Sequence, residues 1–172
     1  MLYHIREDIT KIAIECIVNA SNETGLGCFT SNHPCIDNAI HKSAGPQLLE
    51  ECKTLGGIPT GVAKITNAYK LPSKYIIHVT GPQKRMNEPE NHIILSKCYT
   101  ECLNLARKYN IKEIAFCCIS TGIYGYNKYN SAITAINTVI DWIKNNKQYE
   151  MKILFVTFTD EDEMIYKKLL KS

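Results

Sequence analysis

Three runs constrain this chain more than anything else in it: "YIIHVT" (75–80), "EIAFCCI" (113–119) and "KILFVTF" (152–158). Nearly continuous apolar stretches of this length suit strands that are covered on both faces of a sheet. Shorter strand patterns occur at "LYHIRE" (2–7), "IECIVNA" (14–20) and "VAKITNA" (62–68). Helical patterns lie between them: "IDNAIHKSAG" (36–45), then "PQLLEECKTL" (46–55) after the Gly45-Pro46 break, and the amphipathic "NHIILSKCYTECLNLARKY" (91–109). "SAITAINTVIDWIKNN" (131–146) places Ala132, Ile133, Ile136, Val139, Ile140 and Ile143 on one side, and "EDEMIYKKLLK" (161–171) makes a last helix. Alternating strands and helices predict a three-layer α/β/α domain with a central mixed, mostly parallel sheet. A chain of 172 residues suits one such domain, spanning 1–172.

Several function classes are disfavoured by composition. The net charge is +3 and the lysines are scattered, which gives no reason to expect nucleic acid. No apolar run approaches the roughly 20 residues that span a bilayer, so no membrane partner is expected. "MLYHIREDIT" lacks a basic region followed by an apolar stretch, so no secretory signal is read there and a cytoplasmic protein is expected. A monomer is the default expectation.

Eight cysteines are present, but most fall where small core residues belong. Cys98 and Cys102 share a helical apolar row with Leu95, Tyr99, Leu103 and Ala106; Cys117 and Cys118 fall within a strand run; Cys16 and Cys52 read the same way. Cys28 and Cys35 are different. They lie in "GLGCFTSNHPCID" (25–37), where C-x4-H-x-C lets one loop offer two thiolates and the His33 imidazole. Thiolate and imidazole suit Zn²⁺, and three protein ligands leave a position open for water or substrate. Pro34 restricts His33 to extended conformations and reduces the entropy of ordering the loop. A surface loop with two free thiols is the other reading of the same residues. Asp37 follows at the start of a helix, either complementing its N-terminus or acting as a base, and His41 falls one turn later on the same side. His78 reads as a buried, satisfied core histidine.

In a sheet of this kind, ligands bind beyond the C-terminal strand edges. A second loop fits that place. "STGIYGY" (120–126) is a turn of small residues ahead of a helix N-terminus, suited to an anion or to a plain tight connection. It matches neither of the common glycine-rich nucleotide motifs.

Together, "EDIT", "IVNASN", "CIDNAIHKSAGPQLLEEC", "TGVAKITNAYKLPSKYIIHVTGP" and "ISTGIYGY" resemble the macro domain family in order and spacing. The resemblance implies an ADP-ribose-binding fold, in many members also a hydrolase of ADP-ribosyl groups on proteins. It places Asp8 on the adenine amino group, with Ile9 and Ala20 lining the ligand, and it wraps Ser120, Thr121, Gly122, Ile123, Tyr124 and Gly125 around the diphosphate. It sets Tyr126 beside the distal ribose, which Asn22 addresses. Taken alone, Asp8 reads as a helix cap, Asn22 as a turn former and Tyr126 as a surface aromatic. The glycine run of many catalytic members is replaced here by "GLGCFTSNHPC", which resembles the zinc-dependent bacterial subgroup and makes Cys28, His33 and Cys35 its implied ligands. Members of that subgroup often carry an extra N-terminal region, and this chain begins almost at the macro core. The resemblance implies removal of mono-ADP-ribose from protein, with an Asp or Glu ester the expected linkage, catalysed by Asp37 and Asn22 with zinc. The alternative is an ADP-ribose reader that binds without cleaving.

Overall fold

Strand β2 (Cys16–Ala20) runs through the middle of the molecule, and its first four residues, Cys16 to Asn19, are fully buried although neighbours point to opposite faces. Both faces of the sheet are therefore covered. The computed structural model describes residues 1–31, 33, 35–83, 88–122 and 124–171. The other strands are β1 (Leu2–Arg6), β3 (Ala63–Asn67), β4 (Tyr75–Val79), β5 (Glu113–Phe116) and β6 (Lys152–Thr157). They assemble in the order β1-β6-β5-β2-β4-β3, all neighbours parallel except the edge pair β3–β4.

The helices are α1 (Ile36–Ala44), α2 (Pro46–Lys53), α3 (Glu88–Lys108), α4 (Lys128–Asn145) and α5 (Asp160–Leu170). They pack as two sets, α1 with α2 and α3 with α4 and α5, which completes the expected three layers. A 3₁₀ turn, Ile9–Lys11, follows β1 and packs against α1. Among the described residues, no helix is long and apolar enough to cross a membrane. All eight cysteines are free thiols, and Cys16, Cys52, Cys98 and Cys102 are fully buried. The core centres on Tyr99, Phe116, Phe155 and Tyr166, whose successive ring centroids lie 5.0, 6.2 and 5.1 Å apart.

Two expectations are corrected. β5 ends at Phe116, so Cys117 and Cys118 lie beyond the strand and not within it. β2 and β5 pair only at Cys16–Ile114 and Ile17–Ala115, after which the two strands part and the chain turns into the 120–126 loop. The buried face of α4 is also broader than the apolar stripe. Thr134, Thr138 and Trp142 are buried while Ile133, Ile140 and Ile143 are partly exposed, because α4 is flanked by both α3 and α5. Its threonines hydrogen-bond across to His92 and Ser96 of α3.

Candidate functional site

The strands β1, β6, β5, β2 and β4 are parallel, so the segments that leave their C-terminal ends share one edge of the sheet. The loop after β2 is organised by Asn22. Its Oδ1 accepts from the Gly25 N–H (3.1 Å) and the Thr24 hydroxyl (2.6 Å), and its Nδ2 donates to the Gly27 carbonyl at 3.4 Å. Gly27 has φ +81° and lies against the His41 ring, where a Cβ would come within 2.9 Å of Cδ2 and Nε2. Only glycine meets both conditions, so the loop is held down onto α1.

From there the chain presents Cys28, His33 and Cys35, whose ligand atoms all lie within 4.8 Å of one another. Cys28 Sγ is 3.2 Å from His33 Nδ1. A tetrahedral zinc with ordinary bond lengths separates such donors by about 3.5–3.8 Å. The donor set fits that ion in chemistry, and the three atoms are close enough together for one ion to reach them after a small opening of the Cys28–His33 pair. Cys35 also caps α1, its Sγ accepting from Asn38 N–H at 3.3 Å, while Asn38 Nδ2 donates back to the Cys28 carbonyl at 2.9 Å. Burial pushes the Cys35 thiol up to about 11, helped by the neighbouring Cys28 thiol and Asp37, although the Asn38 N–H opposes it. A bound cation is what would compensate its thiolate. Among the described residues, no fourth histidine, cysteine or acidic group joins this cluster. His4, on β1, contacts the Thr157 hydroxyl and stacks on Tyr166.

Two residues past Cys35, Asp37 is 5% exposed in the first turn of α1. Its Oδ1 accepts from Asn19 Nδ2 at 2.8 Å and lies 3.5 Å from His41 Nε2. Burial dominates both partners: it raises the Asp37 carboxyl above the ordinary range, against Asn19 and His41, and lowers the His41 imidazole. A carboxylate held ready to take a proton results. His78 is buried with both ring nitrogens engaged, as its strand position suggests. Asn19 escaped the sequence reading. The only signal was a lone amide in a run otherwise buried on both sides, where an unpaired polar group would be costly.

The turn after β5 is built from Ser120 at φ +66° and Gly125 at φ +68°. Tyr126 N–H donates to the Ser120 carbonyl (2.9 Å), Gly125 N–H to the Gly122 carbonyl (3.0 Å), and the Thr121 hydroxyl to the Cys118 carbonyl (3.1 Å). Gly81 packs directly beneath, where a Cβ would lie 2.1 Å from Ser120 Oγ. A Cβ on Gly122 would meet nothing within 4 Å. Tyr126 is buried in the core rather than a surface aromatic, whereas Tyr124 is half-buried. Ile123 lies outside the described residues. Asp8 caps the 3₁₀ turn, its Oδ1 accepting from Thr10 N–H (3.0 Å) and the Thr10 hydroxyl (2.6 Å). Ile9 is buried behind it and Ala20 closes β2. The metal-type triad, Asp37 and Asn22 therefore gather on the loop and helix after β2, while the 120–126 turn and Asp8 follow β5 and β1 along the same edge. Two open hollows lie elsewhere. One of about 350 Å³ is lined by Ser96, Thr138, Asp141 and Trp142, and one of about 560 Å³ by Met1, Tyr3, His4 and Lys152.

Fold and site together define an α/β domain that gathers a buried acid, a thiol–imidazole cluster and a glycine turn at the C-terminal edge of a parallel sheet. The chain belongs to the macro domain family, whose sequence profile matches residues 18–135. It is 44% identical over 168 residues to a protein-ADP-ribose hydrolase of Staphylococcus aureus, covering 94% of this chain and 63% of that one. It is 46% identical to a macro domain-containing protein of Methanosarcina mazei, covering 95% of this chain and 85% of that one. The fold superposes on the Trypanosoma brucei macrodomain in complex with ADP-ribose with a TM-score of 0.88 at 33% identity, covering 98% of this chain and 68% of that one. The chain thus spans somewhat less than two thirds of the staphylococcal relative's length.

Proposed function

We propose that this domain binds ADP-ribose and hydrolyses mono-ADP-ribose from modified protein side chains, most readily from esters of aspartate or glutamate. The observation that carries the reading is Asp37. It is a buried carboxylate with a raised proton affinity, placed two residues from a thiol–imidazole cluster at the edge where this fold binds ligands. The hydrolase name of the staphylococcal relative and the ADP-ribose bound to the trypanosomal domain support it.

Cleavage adds water across the bond between the distal ribose and the side-chain carboxylate; the water oxygen stays on one product, and its protons are shared between the products and the base. Asp37 accepts a proton from that water or from a ribose hydroxyl and passes it on once the carboxylate has left. Asn22 addresses the distal ribose from the loop it also braces. Backbone N–H groups of the 120–126 turn, other than those of Gly125 and Tyr126 that already donate within it, receive the diphosphate ahead of the 18-residue helix α4. Asp8 uses Oδ1 in its cap, which leaves Oδ2 for the adenine amino group. β1 and β2 lie three inter-strand steps apart, about 14 Å, so an elongated ligand can reach from Asp8 to Asn22. Zn²⁺, held by Cys28, His33 and Cys35, would act as a Lewis acid that acidifies water or a hydroxyl group.

Asp37→Asn tests the assignment. Turnover should fall by about 10²-fold or more, with ADP-ribose affinity within about threefold of wild type. One observation favours a second reading, in which zinc only holds the loop in a non-cleaving reader: the metal loop is stitched to α1 through Cys35 and Asn38. Turnover absent altogether despite tight ADP-ribose binding would favour the reader, whereas turnover unaffected by Asp37→Asn would remove Asp37 from the proton-transfer step and leave the hydrolase.

A further inference from the structure

His78 belongs to none of the ligand sets above, yet it is 1% exposed and its two ring nitrogens are both in contact with polar partners. It is the register partner of Asn19 across the parallel β2–β4 pair, so the two side chains emerge side by side on one face of the sheet. Asn19 Nδ2 lies 3.1 Å from His78 Nδ1 and 2.8 Å from Asp37 Oδ1. His78 Nε2 lies 2.9 Å from the Thr66 hydroxyl, which in turn donates to the Asn67 carbonyl at 3.0 Å.

With the Asn19 amide nitrogen facing both Asp37 and His78, these contacts set one proton order. The Asn19 amide has two hydrogens, and each meets one acceptor, so His78 Nδ1 must present its lone pair. The ring proton is then on Nε2 and donates to Thr66, whose own hydrogen is committed to Asn67. Asn19 Oδ1 is buried without a hydrogen-bond partner among the described residues. The oxygen therefore does nothing to choose the orientation of the amide. Asp37 and His78 choose it between them, and rotation of the amide would turn an oxygen toward the carboxylate.

We propose that His78, anchored by Thr66, is a positioning residue: it locks the Asn19 amide in the orientation that donates to Asp37 and thereby holds the Asp37 carboxylate in its reactive geometry. The proposal rests on the hydrolase reading above. A histidine that merely fills the core would be replaceable by any side chain of similar volume. A positioning histidine is replaceable only by one that accepts a hydrogen bond where Nδ1 does.

Three variants separate these cases. His78→Leu keeps bulk and loses both polar contacts. His78→Asn places an oxygen close to the Nδ1 position, and His78→Gln places an amide close to the Nε2 position. Each is compared with wild type for kcat and KM of ADP-ribose release from a modified protein, for ADP-ribose affinity by calorimetry, and for folding by circular dichroism. His78→Leu should lower kcat by about 10- to 100-fold while KM and ADP-ribose affinity stay within about threefold. His78→Asn should recover most of that loss and His78→Gln should not. Equal kcat for the Asn and Gln variants, or unchanged kcat for the Leu variant, overturns the proposal. If His78→Leu does not fold, Thr66→Val, which removes the Nε2 acceptor, carries the same test with a smaller expected loss. Nitrogen-15 spectra of wild-type protein read the arrangement without turnover: the Nε2–H tautomer of His78 is expected, and the Nδ1–H tautomer overturns the proposal. A wild-type protein that releases no ADP-ribose overturns the hydrolase reading instead, and the tautomer then still decides whether His78 orders Asn19.

Discussion

Cys35 combines two tasks in one side chain with a position just ahead of a buried acid. Its sulfur accepts the Asn38 N–H that opens α1, it joins Cys28 and His33 in the cluster, and it precedes the buried Asp37 by two positions. The spacing of Cys28, His33 and Cys35 is legible in the sequence because one short loop supplies all three. The groups beneath them were harder to read, because Asn19 and His78 come from different strands and only the parallel register brings them together. His78 also has a measurable consequence for stability. Burial pulls its imidazole down to about 3, so the folded protein keeps it neutral where the unfolded chain takes up a proton near pH 6.5. Its contribution is complete above pH 6.5 and is lost as pH falls toward 3, at about 1.4 kcal/mol per pH unit within that window. Urea midpoints between pH 4 and 6.5 should therefore fall more steeply for wild type than for His78→Asn, by up to one proton's worth of slope. Parallel pH profiles would show that His78 is protonated in the folded state as readily as in the unfolded one.

At the scale of elements, the informative place is where β5 ends. The run Ile114–Ile119 is apolar throughout, so nothing in it marks Phe116 as the last strand residue. The boundary is set by tertiary structure: β2 and β5 share only two register pairs before they part, and the released chain forms the turn over Gly81. By contrast, the six strands and five α-helices among the described residues are legible as elements, because burial on both faces leaves a continuous apolar run and burial on one stripe a periodic one. The six-residue β6 illustrates this, with Ile153 to Thr157 all buried. The close packing of the turn makes Gly81→Ala a test of its role. The added methyl would meet Ser120 Oγ at 2.1 Å and Ile119 Cγ2 at 2.7 Å, and so must displace the loop. ADP-ribose affinity should drop by about tenfold or more, equivalent to about 1.4 kcal/mol, with the fold retained. Unchanged affinity in calorimetry would remove the 120–126 turn from the binding surface.

The whole molecule places its chemistry by topology. Five parallel strands bring Asp8, the 120–126 turn and the loop from Asn22 to Asp37 to one edge, and the antiparallel β3 closes the far side. Strand order was not legible, since pairing between segments distant in the chain leaves no local signal. The aromatic cluster beneath β5 and β6 supports that edge, and Phe155, which touches Tyr99, Phe116 and Tyr166, is its centre. Phe155→Ala should cost about 3–5 kcal/mol in urea unfolding, and a cost below about 1 kcal/mol would show that the cluster does not hold the sheet together. The central claim, a metal-assisted hydrolase, is tested most directly by following release of free ADP-ribose from an aspartate- or glutamate-modified protein before chelation, after chelation and after zinc is restored. Release that stops with the chelator and returns with zinc is the expected result. Release that continues undiminished in fully chelated protein would contradict the role given to Cys28, His33 and Cys35, and no release from zinc-loaded protein would contradict the hydrolase itself.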